Sequence, residues 1–227
     1  MILKLIEKVE EVPNIYTFKF EKPQGFIFIP GQYLVYKIPN TAPDGRGERR
    51  YFTISSAPFE ETLNLTTKIT GQSSTFKKDL LKIEAGTELE ITGPGGEFLF
   101  DEKYENHIFV AGGIGVTPFR SMLLDFKNRH LNPNISLLYA NREEKVLFEE
   151  ELKNLENVLS NFKIEYFLGE NHLSPEQVFS AYHSAENSAI YLSGPEPMVA
   201  SFLESLEEMG IDKENIKRDY FPGYTWK

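Results

Sequence analysis

Three glycines within four residues, Gly112, Gly113 and Gly115, lie between an apolar run ending at Ala111 and the residues Val116-Thr117-Pro118. A strand that breaks through glycines into a helix brings backbone N–H groups and a positive helix end close to an anion, and phosphate is the anion that such a turn receives. Thr117 reads as the helix N-cap and Pro118 as the first helical residue, where its missing N–H costs nothing. A tight turn that binds nothing accounts for the same residues equally well. A second start of this kind lies upstream, where Gly71 precedes Ser73, Ser74 and Thr75, three hydroxyls ahead of a helical stretch. Ordinary capping explains these hydroxyls too. Two anion-ready helix starts nevertheless suit phosphate-bearing ligands better than one would.

The elements that must position these turns fall into two halves. From Met1 to about Phe100 the chain is a series of short β-rich segments separated by Pro and Gly: Ile2–Val9, Ile15–Phe20 with period-two alternation, Tyr33–Ile38, Tyr51–Ser55, Leu63–Ile69 and Leu89–Thr92. Six short antiparallel strands with one helix, around Ser74–Leu81, predict a closed β-barrel. A polar loop, Asn40–Arg50, separates the third strand from the fourth. Beyond Asp101 strands and helices alternate. The strands are Ile108–Ala111, Ile135–Ala140, Phe162–Leu168, Ala189–Ser193 and Ile216–Phe221. The helices between them show apolar stripes: Phe119, Met122, Leu123 and Phe126; Phe148, Leu152, Leu155 and Leu159; and Met198, Phe202, Leu206 and Met209. Ser174-Pro175-Glu176-Gln177 opens the remaining helix with a capping box. Strict alternation predicts a doubly wound, parallel five-stranded α/β sheet. The expected domains are 1–102 and 103–227. Ligands of such a sheet bind at the carboxyl ends of its strands, which brings Asn141, Arg142, Ser193, Gly194 and Pro195 towards the glycine turn.

The 227-residue chain is 41% hydrophobic and 26% charged, with a net charge of −10. That balance argues against nucleic acid as its main partner. It contains no cysteine, which excludes disulfides, thiolate zinc sites, a cysteine nucleophile and a cysteine-ligated iron–sulfur cluster within this sequence. His107, His130, His172 and His183 lack metal-ligand spacing; no metal site is expected, and each histidine is expected at the surface. No apolar run approaches the roughly 20 residues of a membrane span, and charges enter the first residues too early for a signal peptide. A cytoplasmic protein is expected.

Taken together the motifs resemble the ferredoxin reductase superfamily, flavoproteins that join an FAD-binding barrel to a nicotinamide-binding α/β domain. The residues that carry the resemblance are Pro30-Gly31-Gln32-Tyr33, Arg50-Tyr51-Phe52-Thr53, Gly71-Gln72-Ser73-Ser74-Thr75, Gly93-Pro94-Gly95-Gly96-Glu97-Phe98, Gly112-Gly113-Ile114-Gly115-Val116-Thr117-Pro118, Ser193-Gly194-Pro195-Glu196-Pro197-Met198 and Phe221-Pro222-Gly223-Tyr224. Each is a weak match alone, but their order spans nearly the whole chain.

The resemblance implies a member without an iron–sulfur domain. Its activity would be an FAD-dependent NAD(P)H oxidoreductase, passing hydride from nicotinamide C4 to flavin N5 and then electrons to a separate acceptor. That acceptor would be a ferredoxin- or flavodoxin-like carrier, a free flavin, a quinone or a ferric complex. The alternative is a flavin-binding electron-transfer or regulatory subunit active only within a larger complex.

By the same resemblance, Arg50, Tyr51, Phe52, Thr53, Lys68, Thr70, Gly71, Ser73, Ser74 and Thr75 hold FAD, with Phe52 against the isoalloxazine and Thr53 directed at N5. Gly112, Gly113, Gly115, Thr117, Asn141, Arg142, Ser193, Gly194, Pro195 and Met198 take the dinucleotide. Thr53, Thr117 and Ser193 stand nearest the chemistry, with Ser193 where many members carry cysteine. The aromatic tail, Phe221, Tyr224 and Trp226, would lie near the flavin. Lys68, Lys77, Lys78 and Lys82 with Arg49 form a candidate basic patch suited to an acidic carrier protein. A solvated helix face reads the same lysines equally well.

Overall fold

A computed structural model describes residues 1–38 and 47–222. It divides into two units, Met1–Leu99 and Phe100–Lys227.

The first unit is a six-stranded antiparallel sheet in the order β4-β3-β6-β1-β2-β5. Its strands are β1 (Ile2–Val12), β2 (Ile15–Glu21), β3 (Tyr33–Lys37), β4 (Arg49–Thr53), β5 (Thr62–Lys68) and β6 (Glu88–Gly95). The sheet curls until its two edge strands meet, through an Ile54–Leu65 bridge and the Ser55 N–H donating to Asn64 O at 2.9 Å. Closure removes the exposed edges that an open sheet would carry. Period-two alternation turns Phe18, Phe20, Leu34 and Leu65 inward to full burial. The helix α1 (Thr75–Lys82) adds Phe76 and Leu80 to the same core. Burying side chains of this size contributes about 1.5–3 kcal/mol each, which fixes α1, and hence its N-terminus, to the barrel.

The second unit is a parallel sheet in the order β11-β10-β7-β8-β9. The strands are β7 (Asn106–Gly112), β8 (Asn134–Asn141), β9 (Phe162–Leu168), β10 (Ser188–Pro195) and β11 (Ile216–Phe221). Four helices connect them: α2 (Val116–Asn128), α3 (Glu149–Val158), α4 (Pro175–His183) and α5 (Glu196–Glu208). Strand order reverses between β7 and β10, so the glycine turn after β7 and the Ser193-Gly194-Pro195 end of β10 share the switch point where such sheets bind ligands. The capping box on α4 is present: Ser174 Oγ accepts from the Gln177 N–H, and Gln177 Oε1 accepts from the Ser174 N–H. No described helix is long and apolar enough to cross a membrane.

Two local expectations change. Thr117 is not the cap of α2. A 3-10 turn, Gly113–Gly115, runs directly into the helix, so Gly115 takes the N-cap place without a side-chain bond. The Thr117 hydroxyl instead turns inward and donates to Ile114 O at 3.0 Å. His107 is not a surface residue: it is buried, stacked on Phe100 at 4.1 Å between ring centroids, with its nitrogens 3.3 Å from Asn134 O and 3.2 Å from Asp101 O. Burial holds its pKa below the usual histidine value against the pull of these two carbonyls. The other three histidines are exposed.

This packing also places Phe100 and Asp101 in the second unit, slightly ahead of the expected boundary. Burial acts to raise the Asp101 carboxyl, but the Lys217 ammonium at 3.1 Å and the Lys103 N–H at 3.2 Å outweigh it and hold the group below the ordinary aspartate range. A lowered folded-state pKa stabilises the fold above the unfolded value, about 3.9, and that contribution is lost as pH falls through the folded value. Asp101→Asn is expected to lower the urea midpoint near pH 7 and to make stability less acid-sensitive below about pH 4. Urea titrations at both ends of that range check it.

Candidate functional site

In the first unit the site is built where the end of β4 meets the start of α1. The Arg50 guanidinium lies 5.4 Å from the Phe76 ring centroid, beside the first turn of α1, and donates to Gly47 O at 2.9 Å and Arg49 O at 2.8 Å. The turn before the helix is made by the hydroxyls themselves. Ser73 Oγ accepts from the Thr70 N–H at 2.9 Å, Thr70 Oγ1 accepts from the Gln72 N–H at 3.3 Å, and Ser74 Oγ caps Lys77 N–H at 3.4 Å. Gly71 is exposed, and Lys68 is half-buried with its carbonyl accepting from Lys77 Nζ. Thr75 Oγ1 differs from these: it is buried and has no hydrogen-bond partner. The first-turn N–H groups of Thr75 and Phe76 have no carbonyl one turn back to receive them. An orphaned hydroxyl, free helix amides and an arginine fork together form a donor set for phosphate, and the pyrophosphate of FAD fits it.

Along β4 the side chains alternate. Phe52 is 9% exposed and packs on Tyr36 and Phe76 at 5.9 Å each, while Tyr51, 66% exposed, stands on the opposite face edge-on to Tyr33 at 5.1 Å. The residue expected to lie against the flavin is thus largely core, whereas its neighbour Tyr51 presents an open ring. Thr53 is buried at the end of the strand. The lysine patch is partly neutralised: Arg49 pairs with Glu90 at 2.9 Å and Lys82 with Asp79 at 2.8 Å.

In the second unit the three glycines of the turn do different work. A Cβ on Gly115 would stand 2.0 Å from Ser193 O, and one on Gly112 would stand 2.3 Å from Met198 Sδ. These two glycines, with Gly194 against the Gly112 backbone, let the ends of β7 and β10 touch; protein, not ligand, occupies their missing side chains. Met198 correspondingly is fully buried packing. Gly113 alone of the three opens outward, with φ +53° and only Asn141 Oδ1 near its Cβ position, at 3.7 Å. Gly113 is half-buried, whereas Gly112 before it and residues 114–117 after it are buried. Ser193 is fully buried at the end of β10, and its Oγ has no partner. Beside Gly115, that orphaned hydroxyl fits a polar group of a bound nucleotide. Thr117 is 2% exposed and committed to Ile114, so it supports the turn from within. Pro195 opens α5, and Phe221 lies opposite it on β11. Tyr224 and Trp226 fall outside the described residues.

Among the described residues three buried hydroxyls lack partners. Two of them, Thr75 and Ser193, belong to the predicted sites. The third, Tyr166 Oη on β9, has its pKa raised to about 12, mostly by burial and then by Glu149 and Glu156. No cluster of acidic and histidine side chains fit for a metal ion occurs among the described residues. Sequence patterning missed Arg120 and Glu151, whose ion pair joins α2 to α3 across 31 positions in the chain; no local spacing signals such a pair.

Residues 2–100 match the family model of the oxidoreductase FAD-binding domain, and residues 109–203 that of the oxidoreductase NAD-binding domain. The chain is 25% identical, over 98% of its length and 68% of the relative's, to the reductase subunit of stachydrine N-demethylase from Rhizobium meliloti. It is 24% identical, over 96% of its length and 63% of the relative's, to the glycine betaine monooxygenase reductase subunit of Chromohalobacter salexigens. The chain spans between 58% and 68% of the lengths of such curated relatives. Its fold is shared with ferredoxin-NADP+ reductase from Plasmodium falciparum, with a TM-score of 0.80, 18% identity, and coverage of 97% of this chain and 95% of the other.

Proposed function

This chain belongs to the ferredoxin reductase superfamily of FAD- and NAD-binding oxidoreductases, and on that premise we propose that it is an NAD(P)H-dependent flavoprotein reductase serving a separate electron acceptor. When bound, FAD and the nicotinamide supply the redox chemistry, hydride leaving nicotinamide C4 for flavin N5 and electrons then passing onward. The observation that carries the reading is the pair of buried, unpartnered hydroxyls, Thr75 in the first turn of α1 and Ser193 at the end of β10 against Gly115, one in each unit.

The protein's part is binding and orientation. Arg50 and the first turn of α1 hold the flavin's phosphates; Tyr51 covers ring surface, and Thr53 offers a hydroxyl at the end of β4. Gly113 and the 3-10 turn that it opens admit the dinucleotide phosphates, while Ser193 Oγ fixes a polar group of the nicotinamide half. Arg142 is exposed and followed by Glu143 and Glu144, so attraction and repulsion of a 2′-phosphate oppose each other there. A cytoplasmic setting, where nicotinamide nucleotides are supplied, belongs to the same reading.

The acceptor is a separate component. The relatives named as reductase subunits support an oxygenase or small carrier protein in that place. They also favour a second reading, in which the chain turns over only when its partner is present. Anaerobic stopped-flow mixing with NADH and NADPH tests the proposal. The purified protein is expected to carry yellow flavin that one nucleotide bleaches, and to reduce an artificial dye. Absence of flavin, or flavin that neither nucleotide bleaches, rejects a reductase; bleaching without dye turnover selects the complex-dependent reading.

A further inference from the structure

The loop Arg142–Leu147 leaves the carboxyl end of β8, the strand beside β7 and its glycine turn. Three holds fix it. Asn141 Nδ2 donates to Glu143 O at 2.8 Å and Lys145 O at 3.2 Å. From within the sheet the buried Tyr139 hydroxyl donates to Leu147 O at 3.4 Å. The third hold comes from α2, shortly after the glycine turn. Arg120, 9% exposed, pairs through Nε with Glu151 Oε2 at 2.5 Å and through Nη2 with Glu151 Oε1 at 3.0 Å, and its guanidinium lies 4.9 Å from the Phe148 ring centroid.

Phe148 and Glu151 are where the loop ends and α3 begins. Phe148 has φ +61°, a left-handed conformation that a bulky residue adopts only where its surroundings impose it. Here the arginine face lies over its ring. A nearly buried guanidinium is costly to desolvate and tolerates only well-matched partners; both partners sit at the loop's far end. The near end lies beside the glycine turn, with Asn141 Oδ1 3.7 Å from the Cβ position of Gly113. In wound sheets the end of the second strand meets the ribose of the adenosine half, and in this sheet that strand is β8.

We infer that Arg120 is a positioning residue for the adenosine half of the dinucleotide: by clamping Glu151 and Phe148 it sets the loop Arg142–Leu147 against the glycine turn. The inference rests on the dinucleotide binding proposed above. Its test uses the holoprotein carrying Arg120→Gln or, as a second variant that keeps the arginine, Glu151→Gln. Two reductants are compared, the preferred dinucleotide and reduced nicotinamide mononucleotide, which has no adenosine half. ADP-ribose binding is measured by calorimetry.

Both variants are expected to raise KM for the dinucleotide and Kd for ADP-ribose about tenfold or more, with kcat and mononucleotide turnover within roughly twofold of wild type. Arg120→Lys, which keeps the charge but not the fork, is expected to fall between. An ADP-ribose Kd within about twofold of wild type in both variants overturns the inference. Equal loss of mononucleotide and dinucleotide turnover also overturns it, because that pattern reports general collapse. Failure of wild type to bind ADP-ribose does so as well. If wild type binds ADP-ribose but neither reductant bleaches its flavin, the reductase reading fails by itself and the calorimetric comparison decides the role of Arg120.

Discussion

Gly115→Ala is expected to be the most damaging single-methyl change in the second unit, removing dinucleotide binding together with stability. The backbone conformation is not the reason, since Gly115 has φ −59°, ordinary helical geometry. The added Cβ would stand 2.0 Å from Ser193 O, 2.5 Å from Ser193 C and 2.8 Å from Gly194 Cα. All three are backbone atoms of a central strand, so no rotamer change relieves the contact. Either the end of β10 or the glycine turn must move, and both belong to the site. Overpacking a well-filled interior costs about 1–3 kcal/mol, and a contact this short with rigid backbone lies at the upper end. Urea denaturation is expected to show a loss of about 3 kcal/mol, and equilibrium dialysis a Kd for the nucleotide raised by roughly tenfold or more. Gly71→Ala is the control for stability alone, because nothing lies within 4 Å of its Cβ position. A Gly115→Ala protein with wild-type urea midpoint and nucleotide affinity would show that the ends of β7 and β10 are not in contact as described.

Arg50→Ala is expected to produce the largest loss of flavin. The guanidinium stands over the Phe76 ring in the first turn of α1, the turn that also carries the unpartnered Thr75 Oγ1, so its removal takes away the fork that a phosphate would meet. Hydrogen bonds to charged groups contribute about 1.5–3 kcal/mol, which corresponds to FAD binding weaker by roughly 10- to 150-fold. Riboflavin, which has no phosphate, separates this role from a general one: its affinity is expected to change little. Arg50→Lys should recover part of the loss, since charge is kept and planarity is not. Fluorescence titration of apoprotein with FAD and with riboflavin makes both comparisons, and an FAD affinity within about twofold of wild type would remove Arg50 from the phosphate site.

The reach of the sequence differs from residue to residue. Alternation at Ile15–Phe20 and the 3.6-residue stripe Phe119, Met122, Leu123 and Phe126 report burial directly, because a strand or helix turns the same face to the core at a fixed period. Ser174 and Gln177 likewise form their capping box from contacts four residues wide. Glycines are legible as a motif but not in their tasks: Gly112 and Gly115 make room for Met198 and Ser193, partners far along the chain, while Gly113 supplies a positive φ of +53°. Phe148 carries the right polarity for a helical stripe yet stands outside α3, held by an arginine on another helix. His107 looked like a surface histidine because its two carbonyl partners and the Phe100 ring are supplied by folding.

By itself, then, the sequence determined the two-part architecture, the strand and helix order, and the two glycine- and hydroxyl-rich turns that mark an FAD-binding and an NAD-binding unit. Those features are local, set by periodicity, turn chemistry and capping over a few residues. The tertiary structure alone decided which hydroxyls are left without a partner, which aromatic ring on β4 faces outward, and that Arg120 on α2 pairs with Glu151 on α3. Such properties depend on atoms distant in the chain brought within van der Waals or hydrogen-bond range, and no spacing along the chain encodes that distance.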